Sequence, residues 1–106
     1  MRLKSNSVQV QGIRPELIIA LIIANEVYAY HGLELVITSV TDGKHSKTSL
    51  HYSGCAFDCR IYSTADSEAI RDEINRRLNI DYDVILEKDH IHIEFQPRRR
   101  SFISGK

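Results

Sequence analysis

The chain has 106 residues, 42% of them hydrophobic, and its 14 Lys plus Arg balance 14 Asp plus Glu for a formal net charge of zero. That is enough apolar content for one core, so a single domain over residues 1–106 is expected. Without a basic excess, neither a nucleic-acid partner nor an anionic membrane is expected, because both are met by surplus cations. The run Arg98, Arg99, Arg100 reads as a solvated terminus.

The two cysteines, Cys55 and Cys59, are too few for a disulfide-stapled secreted domain and lack the paired short spacings of a zinc ribbon. They point to synthesis in a reducing cytoplasm. The longest apolar run, residues 17–24, is shorter than the ~20 residues of a membrane span and lies too far in for a signal peptide.

In chain order, residues 8–11 suit a short strand or an extended arm. Pro15 fits the first turn of a helix, where its missing N–H is harmless. The helix is predicted over 16–30, with Leu17, Leu21, Ala24 and Tyr28 on one stripe, Ile18 and Ile22 widening it, and Gly32 as its stop. Residues 33–40 favour a strand. A polar stretch over 41–49 follows, with Asp42-Gly43 as a turn signal.

Residues 55–62 alternate: Cys55, Phe57, Cys59 and Ile61 share a core face, while Ala56, Asp58 and Arg60 point the other way. Ser63 or Thr64 can cap a second helix over 65–78, whose buried stripe is Ala69, Ile70, Ile74 and Leu78. Strands at 82–86 and 90–95, joined by Glu87, Lys88 and Asp89, form a hairpin. The last strand turns His90, His92 and Glu94 to one side and Ile91, Ile93 and Phe95 to the other. The fold class is α+β: a small antiparallel sheet with two helices packed on one face and the polar groove, the candidate zinc groove, on the other.

The chemistry concentrates in two segments, 49–58 and 87–92. A catalytic zinc takes three protein ligands from His and carboxylates and keeps one position open for water. His51, Asp58 and His92 would supply such a set if the strands bearing Asp58 and His92 are neighbours. By spacing alone, the same alternation also describes any half-solvated strand.

The string Ser49-x-His51-x-x-Gly54-x-Ala56-x-Asp58, followed downstream by His90-x-His92, resembles the signature of the zinc D-alanyl-D-alanine peptidases, a group that includes vancomycin-resistance dipeptidases and phage endolysins. The stretch from Gly43 to Asp58 and the segment from Tyr82 to His92 are also similar to the Hedgehog signalling domain, a structural relative of these peptidases. Together the motifs cover roughly a third of the chain.

The resemblance implies zinc held by His51, Asp58 and His92. It implies a general base at Asp89, with Glu87 as its rival, and His90 polarising the substrate or stabilising the tetrahedral intermediate. Ser49 and His45 take supporting positions toward substrate. The arginine that relatives carry ahead of the first motif is missing, since the stretch reads Ser39-Val40-Thr41-Asp42; Arg60, on the Asp58 face, is the substitute for gripping a carboxylate.

The expected activity is hydrolysis of a peptide bond in peptidoglycan stem peptides, next to a D-amino acid, by a D,D-carboxypeptidase or an L-alanyl-D-glutamate endopeptidase of phage-lysin type. Such a lysin is expected to be a monomer that reaches the wall after holin-type release. The alternative is a non-catalytic zinc-containing binding module of Hedgehog type; a third reading is an accessory domain of a virion structural protein.

Overall fold

A computed structural model describes residues 1–4, 14–41 and 55–97. Its elements are β1 (Arg2–Leu3), α1 (Pro15–Tyr30), β2 (Val36–Thr41), β3 (Cys55–Arg60), α2 (Ser67–Arg77), β4 (Tyr82–Leu86) and β5 (His90–Phe95). The expected arm at residues 8–11 lies outside the described residues.

Helix α1 begins at Pro15 and buries Leu17, Ala20, Leu21, Ala24, Val27 and Tyr28. It ends where Gly32 takes φ +74°. The Gly32 N–H donates to the Ala29 carbonyl at 2.9 Å and the Leu33 N–H to the Tyr28 carbonyl at 2.9 Å. These paired closing bonds satisfy carbonyls that the helix would otherwise leave bare, and the left-handed backbone costs glycine nothing.

One expectation for α1 is corrected. Ile18 and Ile22 do not widen the buried stripe: they are 45% and 54% exposed, and Ile19 between them is 51% exposed. The buried stripe instead widens on its other side, through Ala20 and Val27.

Strand β2 begins three residues later than predicted, at Val36, which is where β1 first opposes it (Arg2↔Val36, Leu3↔Ile37). That pairing is parallel, so the sheet is mixed rather than antiparallel throughout; its order is β1-β2-β3-β5-β4, and every other pairing is antiparallel. Two residues are too few to show alternation, which is why β1 leaves no mark in the sequence. Strands β4 and β5 fall where predicted.

Helix α2 starts at Ser67, later than predicted, and its cap is Asp66 rather than Ser63 or Thr64. The Asp66 carboxylate accepts the Ala69 N–H at 3.0 Å. A charged acceptor at this position also meets the positive end of the helix dipole, which favours Asp66 over an upstream hydroxyl.

Both helices pack on one face of the sheet. Leu17, Leu21, Ala24 and Tyr28 from α1 and Ile70 and Ile74 from α2 join Cys55, Phe57, Cys59, Ile91 and Ile93 in one cluster. Each large apolar side chain so buried stabilises the fold by roughly 1.5–3 kcal/mol. Both cysteines are free and buried, as their alternation with Phe57 implied. Tyrosines fasten the layers at the edges of this core: the Tyr28 hydroxyl donates to the Arg60 carbonyl and the Tyr82 hydroxyl to the Glu16 carbonyl, both at 2.8 Å.

Among the described residues no polar or charged residue is fully buried. The sheet's polar chemistry is therefore on the face that the helices leave open. No helix of the described residues is long and apolar enough to cross a membrane.

Candidate metal centre

The pleat and the strand order together assemble a polar cluster. Strands β3 and β5 are hydrogen-bonded neighbours, and their register sets Asp58 directly opposite His92 and Arg60 opposite His90. Alternation turns Cys59 and Ile91, the pair between them, into the core. Successive pairs on the open face are therefore Arg60–His90, Asp58–His92 and Ala56–Glu94.

The neighbourhood of the two strands, assumed from sequence, is thus observed, and the Asp58–His92 pair is close: His92 Nδ1 lies 2.7 Å from Asp58 Oδ1. His90 Nε2 lies 3.8 Å from the same oxygen. Ligand atoms of Asp58, His90 and His92 are all within 4.8 Å of one another, so these three groups could hold a metal ion.

Each imidazole is oriented by a carboxylate on its far side. His90 Nδ1 is 2.6 Å from Asp89 Oδ1. With the Nδ1 proton donated to that carboxylate, the neutral ring keeps its Nε2 lone pair for Asp58's side of the cluster. His92 Nε2 is 3.1 Å from Glu94 Oε1, while its Nδ1 faces Asp58.

His92 has a carboxylate oxygen within hydrogen-bond reach of each ring nitrogen. Partial burial alone would lower its pKa, but the hydrogen bonds and charges of Asp58 and Glu94 overcome that and raise it above the ordinary histidine value. A metal bound at one ring nitrogen would leave the carboxylate at the other to fix the ring.

Asp89, the expected general base, is engaged with His90. That hydrogen bond, chiefly, holds its pKa below the usual carboxylate value although its side chain is 85% exposed. Glu87 sits across the hairpin, its N–H donating to the His90 carbonyl at 2.8 Å and its side chain exposed. Arg60 lies on the Asp58 face as predicted and lines a cavity beside His90. His45, Ser49 and His51 fall outside the described residues.

Glu94 was absent from the predicted site. Its signal was present in the sequence, since it continues the His90, His92 alternation by two residues. Its role was hidden because which nitrogen a carboxylate reaches depends on rotamers rather than on spacing.

No protein-family profile, curated protein or solved structure matches this chain.

Proposed function

We propose that the chain is a zinc-dependent peptidase that cleaves a peptide bond of the peptidoglycan stem next to a D-amino acid. The observation that carries this reading is the cross-strand pair Asp58–His92, 2.7 Å apart with His90 alongside, on the strands that carry Asp58 and the His90-x-His92 pair of the peptidase-like signature. One carboxylate oxygen and two imidazole nitrogens are donor types suited to zinc, and they lie on the strand faces turned away from the core.

Asp58 and His92 would hold the ion together with His51, the ligand implied by the resemblance. Bound zinc supplies a Lewis acid that polarises the scissile carbonyl and brings the pKa of a water toward ~7. The chain's own groups handle the protons. Asp89 is the carboxylate that accepts a proton and returns it to the leaving amine, through His90 in the geometry observed here. His90 Nε2, once it carries the proton taken from the water, is the N–H that would donate to the developing oxyanion. Glu94 keeps the His92 ring from rotating out of the cluster.

A second reading has one observation in its favour. The Asp89 carboxylate is occupied by His90 Nδ1, as it would be in a zinc-holding binding module where it only orients a histidine. One experiment separates the two readings. Purified peptidoglycan is digested with zinc-loaded protein, chelator-treated protein and the Asp58→Ala variant, and the products are identified by mass spectrometry. Defined stem-peptide fragments that appear only with zinc-loaded wild type are expected. Zinc-loaded, folded protein that releases nothing from several wall types would favour the binding module, and full activity in Asp58→Ala would overturn the site assignment.

A further inference from the structure

Helix α1 carries more apolar surface than its core contacts use. Ile18, Ile19 and Ile22 stand about half exposed. They fall within roughly one turn, so the exposure is one patch rather than scattered side chains. A helix that is apolar on every side is one that other protein surrounds.

At the same end of α1 a polar atom is left over. Glu16 Oε1 is buried and accepts no hydrogen bond among the described residues. Arg14 Nε stands 3.7 Å from it, within ion-pair reach but too far to donate. A buried carboxylate oxygen without a donor is destabilising. Glu16 and Ile19 are three residues apart and so share a face of the helix. One strip of α1 thus presents a carboxylate oxygen in need of a donor and, almost a turn further on, a half-exposed isoleucine.

The chain leaves the sheet beside this strip. At the end of β5 the Gln96 N–H donates to the Asp81 carbonyl at 2.7 Å, and the Phe95 and Tyr82 rings pack with centroids 5.1 Å apart. The Tyr82 hydroxyl in turn donates to the Glu16 carbonyl at 2.8 Å. The residues that follow, Arg98-Arg99-Arg100-Ser101-Phe102-Ile103, bring three guanidinium groups and then two large apolar side chains. In an extended chain Arg98, Arg100 and Phe102 share one side. The six residues from Gln96 to Phe102 span about 20 Å, enough to pass round a helix roughly 10–12 Å across.

We propose that residues 98–103 dock along the first turns of α1, with Arg98 or Arg100 donating to Glu16 Oε1 and the Phe102 ring covering Ile19. The arginine run is then a clasp rather than the solvated terminus expected from its composition. It ties the end of the strand that bears His90 and His92 to the helix layer.

Two features select this occupant. Residues 5–13, which lead into α1, hold no lysine or arginine to pair with Glu16. A second copy would need roughly 800 Å² from each partner for a stable dimer, and three half-exposed isoleucines supply only part of that. One phenylalanine ring is an apolar group of the size such a patch takes.

The test uses the full chain with carbon-13 in its isoleucine δ1 methyls, read by NMR. Ile19→Val assigns the Ile19 methyl. The methyl of Ile93, fully buried, reports whether each variant keeps its core, so a loss of folding is seen separately. Docking predicts nuclear Overhauser contacts between the Phe102 ring and the Ile19 methyl in the wild type, and a ring-current shift of that methyl to high field. Phe102→Leu should abolish the shift and leave Ile93 unmoved. Replacing both arginines, Arg98→Gln with Arg100→Gln, should lose most of it.

An Ile19 methyl without contact to Phe102, or one whose shift survives Phe102→Leu, would overturn the docking. So would contacts to Ile19 made by another segment of the chain. A shift that survives only the double arginine variant would overturn the pairing with Glu16. Mixing labelled with unlabelled chains separates the last case: Phe102 contacts found only between chains would make this face a dimer interface and overturn the clasp.

Discussion

At the scale of single residues, Asp58 does the most: its Oδ1 lies close to both His92 Nδ1 and His90 Nε2, so removing it takes away the one carboxylate among the described residues that both imidazoles approach. The two acids of the hairpin make different predictions. Asp89→Asn keeps the shape of the His90 contact but removes the proton acceptor, and we expect peptide hydrolysis to fall by roughly 10²–10⁴-fold. Glu87→Gln, altering an exposed side chain across the turn, should stay within a few-fold of wild type. Steady-state rates on a stem peptide decide between them, and the opposite order would reassign the base to Glu87.

The core makes a further prediction, about alkali. Burial raises the Cys59 thiol well above its usual value near 9.0, with the nearby Asp58 charge adding to the effect, and burial likewise raises the Tyr28 phenol. Above pH 9 the unfolded chain loses the thiol proton while the folded chain keeps it. Stability is therefore complete below that pH and declines as pH rises, by up to about 1.4 kcal/mol per pH unit for a fully buried group. Tyr28 adds to the decline above pH 10. Urea titrations between pH 8 and 11 would show this fall, and Cys59→Ala should flatten its first part.

At the scale of elements, α1 separates what is buried from what is merely apolar. Ile93→Ala, emptying a fully buried site between helices and sheet, should cost about 2–5 kcal/mol. Ile22→Gln, on the exposed flank of α1, should change stability by no more than about 0.5 kcal/mol. Chemical denaturation of both variants checks the contrast.

The same helix marks where the sequence stopped being informative. Strands β4 and β5 were readable because strict alternation leaves one assignment of faces, and the same alternation brought Asp58 and His92 to one surface once the strands proved adjacent. In α1, isoleucines surround the stripe on the side that faces solvent, so composition could not tell which flank was covered. Asp66 competed with two hydroxyl residues just upstream, all plausible caps by type, and only the Ala69 contact distinguishes them. The carboxylates behind the imidazoles, Asp89 and Glu94, were the least readable, because their partners are chosen by side-chain reach across a turn and along a strand.

At the scale of the whole molecule, the site exists only when distant parts of the chain have met. Asp58 and His92 come from strands separated in sequence by α2 and β4. The unfolded chain offers no such cluster, so a metal that binds it stabilises the fold by mass action. At a free zinc concentration a thousand times the dissociation constant the gain is ~4 kcal/mol, and each kcal/mol raises the Tm of a domain this small by roughly 4–8 °C. Melting curves with and without zinc test this, and Asp58→Ala should abolish most of the shift. A zinc-independent Tm in the wild type would count against the centre.

The strand order has a consequence for endurance. Both strands that carry the cluster are interior to the sheet: β3 is paired on its two sides by β2 and β5, and β5 by β3 and β4. Opening either one breaks two ladders at once, whereas β1 and β4 can peel from the rim one ladder at a time. In deuterium exchange, the amides of 57–59 and 91–93 should be among the last in the sheet to label. The floor beneath Asp58 and His92 would then stay assembled through the fraying that warmth imposes on the margins of the sheet.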